Sequence, residues 1–457
     1  MFIGRERELK TLNEHYANKS FEFFCIYGRR RVGKTELIKE FIKGKKAIFF
    51  TGVEDTKAVN LAGFSNAIHE ALYDSKSKLT YSDFKTALAE IYEYAKKEKI
   101  VVVIDEYPYL AKSYPGISSL LQVEIDHRLK DTNIFIILCG SSMSFMEKQV
   151  MGHKSPLYGR RTGQIKTLPF DYETSAEFYP QQSAIDKAII YGITGGMAKY
   201  LNLFSNNKNL DDNITKNFFS SDELLFEEPI NLLKQELREP ALYNSIITAA
   251  ANGNTRLNKI STKTGLESAT CVKYLNNLIE LGIVKREIPI MEKETSKKSI
   301  YRLDDGMFRF WYRFVYGNIS KIQLEQGADV FADIKPQLSD FMGEVFEKIC
   351  KEYMWKSKLP FSISNVGRWW GNNPIKKREQ EIDLIAVNSD KKRAIFCECK
   401  WRNEEMPASV IDELIDKAEM FSFEEKYYYF FSKNGFTDAS KKRASDKVVL
   451  IDFKDMF

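Results

Sequence analysis

Gly28-Arg29-Arg30-Arg31-Val32-Gly33-Lys34-Thr35 follows an apolar run at 21–27 and precedes a segment with helical spacing at 36–42. No other feature constrains the fold as strongly as this order of strand, glycine-framed octapeptide and helix. The glycines let successive backbone N–H groups wrap an anion at a helix N-terminus, which is the geometry of a phosphate-binding loop. In such a loop Lys34 reaches the terminal phosphates of a nucleotide, and the Thr35 hydroxyl ligates Mg²⁺. A chance glycine turn in a basic loop is the alternative, and it would not require the strand and helix to fall in register.

A nucleotide hydrolase also needs a second strand that ends in a metal-organising carboxylate. Ile100-Val101-Val102-Val103-Ile104 reads as a strand buried on both faces, with Asp105 and Glu106 at its C-terminal edge. Ligands gather at that edge in open α/β sheets. Asp105 is expected to hold Mg²⁺ and Glu106 to polarise the attacking water, against the plainer reading of an acidic helix cap. A third apolar run at 133–139 ends in Gly140-Ser141-Ser142, whose hydroxyls are placed to sense a γ-phosphate.

Phe2-Ile3-Gly4-Arg5-Glu6-Arg7-Glu8-Leu9 resembles the box that opens many AAA+-like ATPases and packs beside the adenine. Taken with the loop, Asp105-Glu106-Tyr107 and Leu157-Tyr158-Gly159-Arg160-Arg161, the chain resembles the archaeal-type ATPase family of the AAA+/STAND branch. The resemblance extends over nearly the whole chain. It implies ATP as the nucleotide, Gly4 and Arg5 beside it, and Arg160 or Arg161 as the arginine finger. It also puts Gly195-Gly196-Met197 in a helical lid, although many relatives carry proline where this chain has Met197 or Ala198. Beyond the ATPase core the resemblance implies a winged-helix region and a restriction-endonuclease-like C-terminal domain.

At 457 residues, 44% of them apolar and 13% aromatic, the chain is globular and too long for one core. No apolar run approaches the ~18–20 residues that span a bilayer, so a soluble cytoplasmic protein without membrane association is expected. The six cysteines form no CxxC and lie in core-like segments, so buried reduced thiols are expected. The four histidines are dispersed, and the net charge of +5 permits nucleic-acid binding without requiring it.

The expected fold is α/β, a P-loop NTPase (AAA+-like) parallel-sheet domain followed by a helical lid, a winged helix-turn-helix and an endonuclease-like α/β domain. The boundaries read as 1–170 for the ATPase core, 171–239 for the lid, 240–320 for the winged helix with its linker helix, and 321–457 for the last domain. Core strands are expected at 21–27, 46–50, 99–104, 133–139 and 163–168, with an embedded helical stretch over 57–97.

Three helices and a basic hairpin after Pro240 give the winged-helix layout. Ser268 is expected to cap the third helix. Ala269, Val272, Leu275, Leu278 and Ile279 would form its apolar stripe, leaving Thr270, Lys273, Asn276 and Asn277 outside. Lys273, Lys285, Arg286, Lys293, Lys297 and Lys298 favour DNA, while Glu287, Glu292 and Glu294 dilute the patch. A protein-binding module and a plain spacer are the competing readings. The aromatic cluster at 308–314 suits the packing of a linker helix better than base stacking.

Near the C-terminus a strand at 381–387 is followed by a short loop and a return strand at 394–401. Strand periodicity sets Glu398 and Lys400 on one face, and Asp383 on the partner strand completes a carboxylate pair. This D…ExK pattern resembles the PD-(D/E)xK nuclease core, with Ile382 where proline is frequent. Asp383 and Glu398 would chelate Mg²⁺, while Lys400 neutralises charge in the transition state. The resemblance adds Glu347, from an upstream helix, to the metal site. A surface hairpin of alternating ion pairs is the structural alternative. The sequence therefore points to a Mg²⁺-dependent ATPase that acts on DNA with a nuclease-like domain, and a homo-oligomer is compatible with it. The rival is a nucleotide-driven regulatory switch whose C-terminal domain only binds DNA or protein, and a weaker one is chaperone-like remodelling.

Overall fold

The computed structural model describes residues 2–74, 79–374 and 376–457. The chain divides into two compact units, Met1–Pro169 with Met197–Lys199, and Phe170–Gly196 with Tyr200–Phe457.

The first unit is built on five strands: β1 (Glu22–Tyr27), β2 (Ala47–Thr51), β3 (Val101–Asp105), β4 (Phe135–Gly140) and β5 (Gly163–Lys166). They pair in the order β2-β3-β4-β1-β5, and every pairing is parallel. Each residue of β1, β3 and β4 is buried, as expected for central strands covered by helices on both faces. Alternation divides them between two cores. Phe23, Cys25, Val102, Ile104 and Ile136 face one side, while Phe24, Ile26, Val101, Val103 and Ile137 face the other with Leu37 and Phe41. All five strands lie within two residues of the expected bounds, β5 ending at Lys166 where 168 was expected. Of the helical stretch expected over 57–97, Lys57–Tyr73 and Phe84–Ala95 are two separate helices, and residues 75–78 lie outside the described residues.

The second unit begins with short helices and continues into Pro240–Ala251, Leu257–Thr264 and Ser268–Glu280, followed by an antiparallel hairpin of β6 (Val284–Glu287) and β7 (Ile300–Leu303). Ser268 is the first residue of its helix and not the cap. The cap position is Glu267, whose side chain makes no capping bond. The buried stripe of that helix is Cys271, Tyr274, Leu275 and Leu278. Ala269 is exposed, and Asn277 donates to the Tyr243 hydroxyl at 2.5 Å, so the stripe is rotated from the expected one. Tyr274 explains the shift, because its ring enters the core against Tyr243 while its hydroxyl reaches Glu239. The aromatic cluster packs inward. Phe308, Phe310, Trp311, Tyr312 and Phe314 are buried, and the Trp311 indole N–H donates to Phe226 O at 2.7 Å.

The chain ends in a mixed sheet flanked by the helices Leu338–Lys356 and Ala408–Ala418. Its strands are β8 (Asn365–Asn373), β9 (Arg378–Val387), β10 (Arg393–Lys400), β11 (Glu425–Ser432) and β12 (Val448–Asp452), in the order β12-β11-β10-β9-β8. β8, β9 and β10 are antiparallel, whereas β10, β11 and β12 are parallel. The loop after β6 closes on the edge strand of this sheet. Ile290 is buried in the sheet's core, and its N–H donates to Arg368 O at 2.8 Å.

Candidate functional site

The loop between β1 and the helix Lys34–Ile42 holds its shape through close backbone approach. A Cβ on Gly28 would lie 2.2 Å from Thr167 O, so only glycine fits there, and Gly33 takes φ 92 at the turn into the helix. Lys34 is buried, and its ammonium donates to Gly28 O and Arg29 O, both at 2.9 Å, across the mouth of the loop. Burial holds its pKa below the ordinary lysine value, opposed by the carboxylates of Glu106 and Asp105. The Thr35 hydroxyl donates to Asp105 Oδ2 at 2.9 Å, so the two expected metal-organising groups meet across 70 residues of sequence.

β4 stands between the strand that feeds the loop and the strand that carries Asp105. Ser141, just beyond β4, therefore lies next to Glu106 and donates to its Oε2 at 2.9 Å. Glu106 itself sits at φ 47, in the left-handed region that non-glycine residues enter rarely.

The N-terminal box contributes through Arg5, whose guanidinium donates to Val32 O at 3.0 Å and to Leu168 O at 2.5 Å. Gly4, with φ 68, turns the chain into that position. Of the loop arginines, Arg30 donates to the Tyr109 hydroxyl at 2.6 Å, while Arg31, at φ 73, accepts from Lys199 N–H at 3.1 Å. Ala198 lies against Gly33. The segment just after Gly195-Gly196 therefore packs on the phosphate-binding loop, a contact that sequence spacing alone did not reveal. Arg160 is held by Asp126 through a two-point ion pair at 2.8 and 2.6 Å and by Pro156 O at 2.8 Å, which ties it to its own unit. Arg161 makes no such ion pair among the described residues.

A second charged cluster lies on β9 and β10. Lys400 Nζ is 2.5 Å from Glu398 Oε1 and 3.9 Å from Asp383 Oδ2, so one ammonium bridges both carboxylates. Asp383 Oδ2 also accepts the Cys399 N–H at 2.8 Å. Burial raises the pKa of Asp383 and of Glu398 against the opposing charge of Lys400, with a further upward push from Glu381 on Asp383 and from Asp383 on Glu398. Burial lowers the Lys400 ammonium, but the two carboxylates outweigh it and the net shift is upward. Glu398 Oε2 is buried without a hydrogen-bond partner, 4.0 Å from the Lys417 ammonium. Lys417, on the helix Ala408–Ala418, is a member of this cluster that no sequence motif marks. Glu347 pairs with Arg368 at 3.4 Å, and burial together with Asp383 pushes its carboxyl up to about 8. Among the described residues no three His, Cys, Asp or Glu side chains gather into a ready-made metal cage. The residues present thus fit a two-carboxylate site with lysines, not a closed cage. All six cysteines are buried and free.

The parallel sheet, its phosphate-binding loop and the Thr35–Asp105 contact define a P-loop ATPase. Residues 2–204 match a family described as an ATPase domain predominantly from Archaea, and residues 311–411 match one described as archaeal and bacterial proteins of unknown function. An uncharacterized protein of Methanocaldococcus jannaschii is 35% identical over 441 residues, which cover 95% of this chain and 96% of that one. The chain belongs to this archaeal-type P-loop ATPase family, and it is an ATP-binding ATPase. Among solved structures, a Walker-type ATPase of Pyrococcus abyssi shares the fold with a TM-score of 0.54 at 19% identity, covering 68% of this chain and 96% of that one. The ORC2 protein of Aeropyrum pernix, solved as ADPNP–ADP complexes, aligns at 15% identity with a TM-score of 0.48, covering 71% of this chain and 95% of that one. No helix among the described residues is long and apolar enough to cross a membrane.

Proposed function

We propose that the chain is a Mg²⁺-dependent ATPase that works on DNA, with a C-terminal domain that hydrolyses phosphodiesters. The reading divides it into an ATPase core over 1–170, a lid over 171–239, a winged helix over 240–320 and a nuclease-like domain over 321–457. In the core, Thr35 and Asp105 would hold Mg²⁺, which neutralises phosphate charge when bound. The loop N–H groups and Lys34 bind the phosphates, and Glu106, oriented by Ser141, takes the proton of the attacking water. Arg161 is the better candidate for an arginine finger, since Arg160 is committed to Asp126. A finger acting between copies would make the active species a homo-oligomer.

The observation that carries the nuclease reading is the buried group of Asp383, Glu398 and Lys400, with Glu398 Oε2 left unbonded. Carboxylates whose pKa is raised by burial inside a protein cost stability, and such arrangements concentrate at functional sites. Asp383 and Glu398 would hold a metal ion, and Lys400 would face the scissile phosphate. The rival reading is a nucleotide-driven switch whose C-terminal domain only binds DNA or protein, and one observation in the β6–β7 hairpin favours its protein-binding form. Lys285 is paired with Glu287 at 2.7 Å, and Arg286 donates to Glu294 O and Ser296 O, which withdraws two of the cations expected on phosphates. Incubation of the full chain with Mg²⁺ or Mn²⁺, ATP and DNA of several topologies, reading phosphate release and strand cleavage together, separates the two. Cleavage supports the nuclease reading. Nucleotide-dependent DNA binding with no cleavage under any metal supports the switch.

A further inference from the structure

A groove of about 730 Å³ lies between the three-helix region with its β6–β7 hairpin and the β8 edge of the C-terminal sheet. Arg256 and Ser268 line it at the heads of the second and third helices, Lys297 and Lys298 just before β7, Trp370 on β8 and Glu379 on β9. Two contacts tie its walls. Arg256 meets Glu379, the one acidic side chain on this lining, at 3.3 Å, and the Trp370 indole N–H donates to Lys298 O at 3.2 Å. Strand alternation sends Trp369 into the sheet's core against Phe421 and turns Trp370 to the groove. Trp370 is half-buried, and its ring touches no other ring or cation among the described residues. Lys298 is paired with Glu292 at 2.6 Å. The Lys297 side chain is exposed and makes no hydrogen bond or ion pair among the described residues. The same holds for Lys259 and Arg378, each next in sequence to a lining residue.

A polar cleft with a surplus of cations and one aromatic ring free of other rings matches the way proteins hold single-stranded nucleic acid. Cations follow the backbone while the aromatic side chain stacks on a base. A volume of this size is that of a small-ligand pocket, so a short stretch of one strand enters it and a duplex does not. Inside a duplex the bases stack on one another and offer Trp370 no face. The place of the groove gives the strand a direction. Ser268 opens the third helix, the one that a winged helix sets in the major groove. Glu379 stands four residues before Asp383 on β9, about 13 Å along the strand. We propose that this groove takes a single DNA strand leaving a duplex, with Trp370 stacked on a base and Lys297 on a phosphate. The proposal rests on the reading of DNA as the substrate and narrows it to DNA with an unpaired segment, such as a tail, a flap or a fork.

The test is fluorescence anisotropy on the full chain in EDTA, so that no probe is cut. The probes are a blunt duplex, the same duplex with a thymidine tail on either strand, and the tail alone as DNA and as its RNA counterpart. A tailed duplex should bind at least about tenfold tighter than the blunt one. Trp370→Ala should remove most of that gain and leave blunt-duplex affinity within about twofold. Trp370→Phe keeps a ring and loses the bond to Lys298 O, so it should retain most of the gain. A merely structural Trp370 would make the Phe variant as weak as the Ala variant, which overturns the stacking role. Lys297→Gln, on an exposed side chain, should lower the salt slope of tail binding by about 0.7, the value of one phosphate contact. A melting scan checks that Trp370→Ala is folded; if it melts below wild type, Lys297→Gln gives the independent reading. The proposal is overturned if tailed and blunt duplexes bind alike, if both Trp370→Ala and Lys297→Gln keep the gain within about twofold, or if the RNA tail binds tighter than the DNA tail. In each of these cases a blunt duplex that still binds leaves the reading of DNA as substrate in place, whereas no binding of any DNA probe removes both.

Discussion

Glu106 combines two features that bear on turnover, a left-handed backbone at φ 47 and a carboxylate fixed by the Ser141 hydroxyl at 2.9 Å. Strain of this kind persists only where surrounding contacts impose it. Glu106→Gln should keep ATP binding and lose about 10²–10⁴ in turnover, because an amide cannot take the proton of the attacking water. Ser141→Ala should keep binding and slow turnover by about tenfold, because the carboxylate stays but loses its orientation. Lys34→Ala should lose nucleotide binding itself. Equilibrium binding of a fluorescent ATP analogue beside a phosphate-release assay distinguishes these three outcomes, and normal turnover in Glu106→Gln would remove its assigned role. Lys351 allows a prediction on stability. Its folded pKa is depressed, so at neutral pH the folded state holds a charge it disfavours while the unfolded chain holds the same charge freely. That penalty is full below the folded pKa and fades as pH rises toward the ordinary lysine value. Lys351→Met should therefore raise the melting temperature at pH 7 and leave it unchanged near pH 11. Equal shifts at both pH values would mean that the gain comes from packing and not from charge.

Elements were legible in the sequence where burial is two-sided. β1, β3 and β4 are continuous apolar runs because helices cover both faces of the sheet, and the residues after them fall on the edge where Lys34, Asp105 and Ser141 meet. β8 was not legible. Its Trp369-Trp370-Gly371-Asn372-Asn373 is mostly half-buried at a sheet edge, so neither alternation nor a continuous run marks it. The third helix before the hairpin was legible as a helix but not in its facing, because Tyr274 and Cys271 fill the core where Ala269 and Val272 were expected. Lys417 was invisible, since nothing in a helix sequence says which strand its last turn will approach. The same corrections sharpen the DNA prediction. Lys273, Lys293 and Lys297 are exposed, whereas Lys285 and Arg286 are engaged within the hairpin. If the region contacts phosphates, neutralising Lys273, Lys293 and Lys297 should flatten the salt dependence of DNA affinity by up to about three counterions. Neutralising Lys285 and Arg286 should change that slope little and lower stability instead. Anisotropy titrations across salt concentrations measure both, and a flat salt response in the wild type would leave the region a protein-binding or spacer element.

At the scale of the whole molecule the open matter is whether the C-terminal cluster does chemistry or only holds the sheet together, and stability and cleavage respond differently in the two cases. A structural ion-pair group loses stability whenever a member is removed, by about 3–5 kcal/mol for a buried pair broken on one side. A metal site is assembled against its own repulsion, and removing one carboxylate charge relieves it. Burial raises both Asp383 and Glu398, and the Asp383 charge raises Glu398 further, so Asp383→Asn should melt at or above wild type while abolishing metal-dependent cleavage. Lys400→Ala should do the opposite on stability, because it leaves two buried carboxylates without their shared cation, and it should abolish cleavage as well. Excess Mn²⁺ should partly rescue Asp383→Ala, where a ligand is missing, and fail with Lys400→Ala, where a positioned cation is missing. Glu347→Gln should be milder than either, since Glu347 is tied to Arg368. Lys417→Ala should fall between them, because its ammonium stands at the unbonded Glu398 oxygen. Melting scans and cleavage of a supercoiled plasmid on the same preparations decide the matter. A destabilised Asp383→Asn together with a wild type that never cuts would assign the cluster to structure and leave the ATPase as a switch.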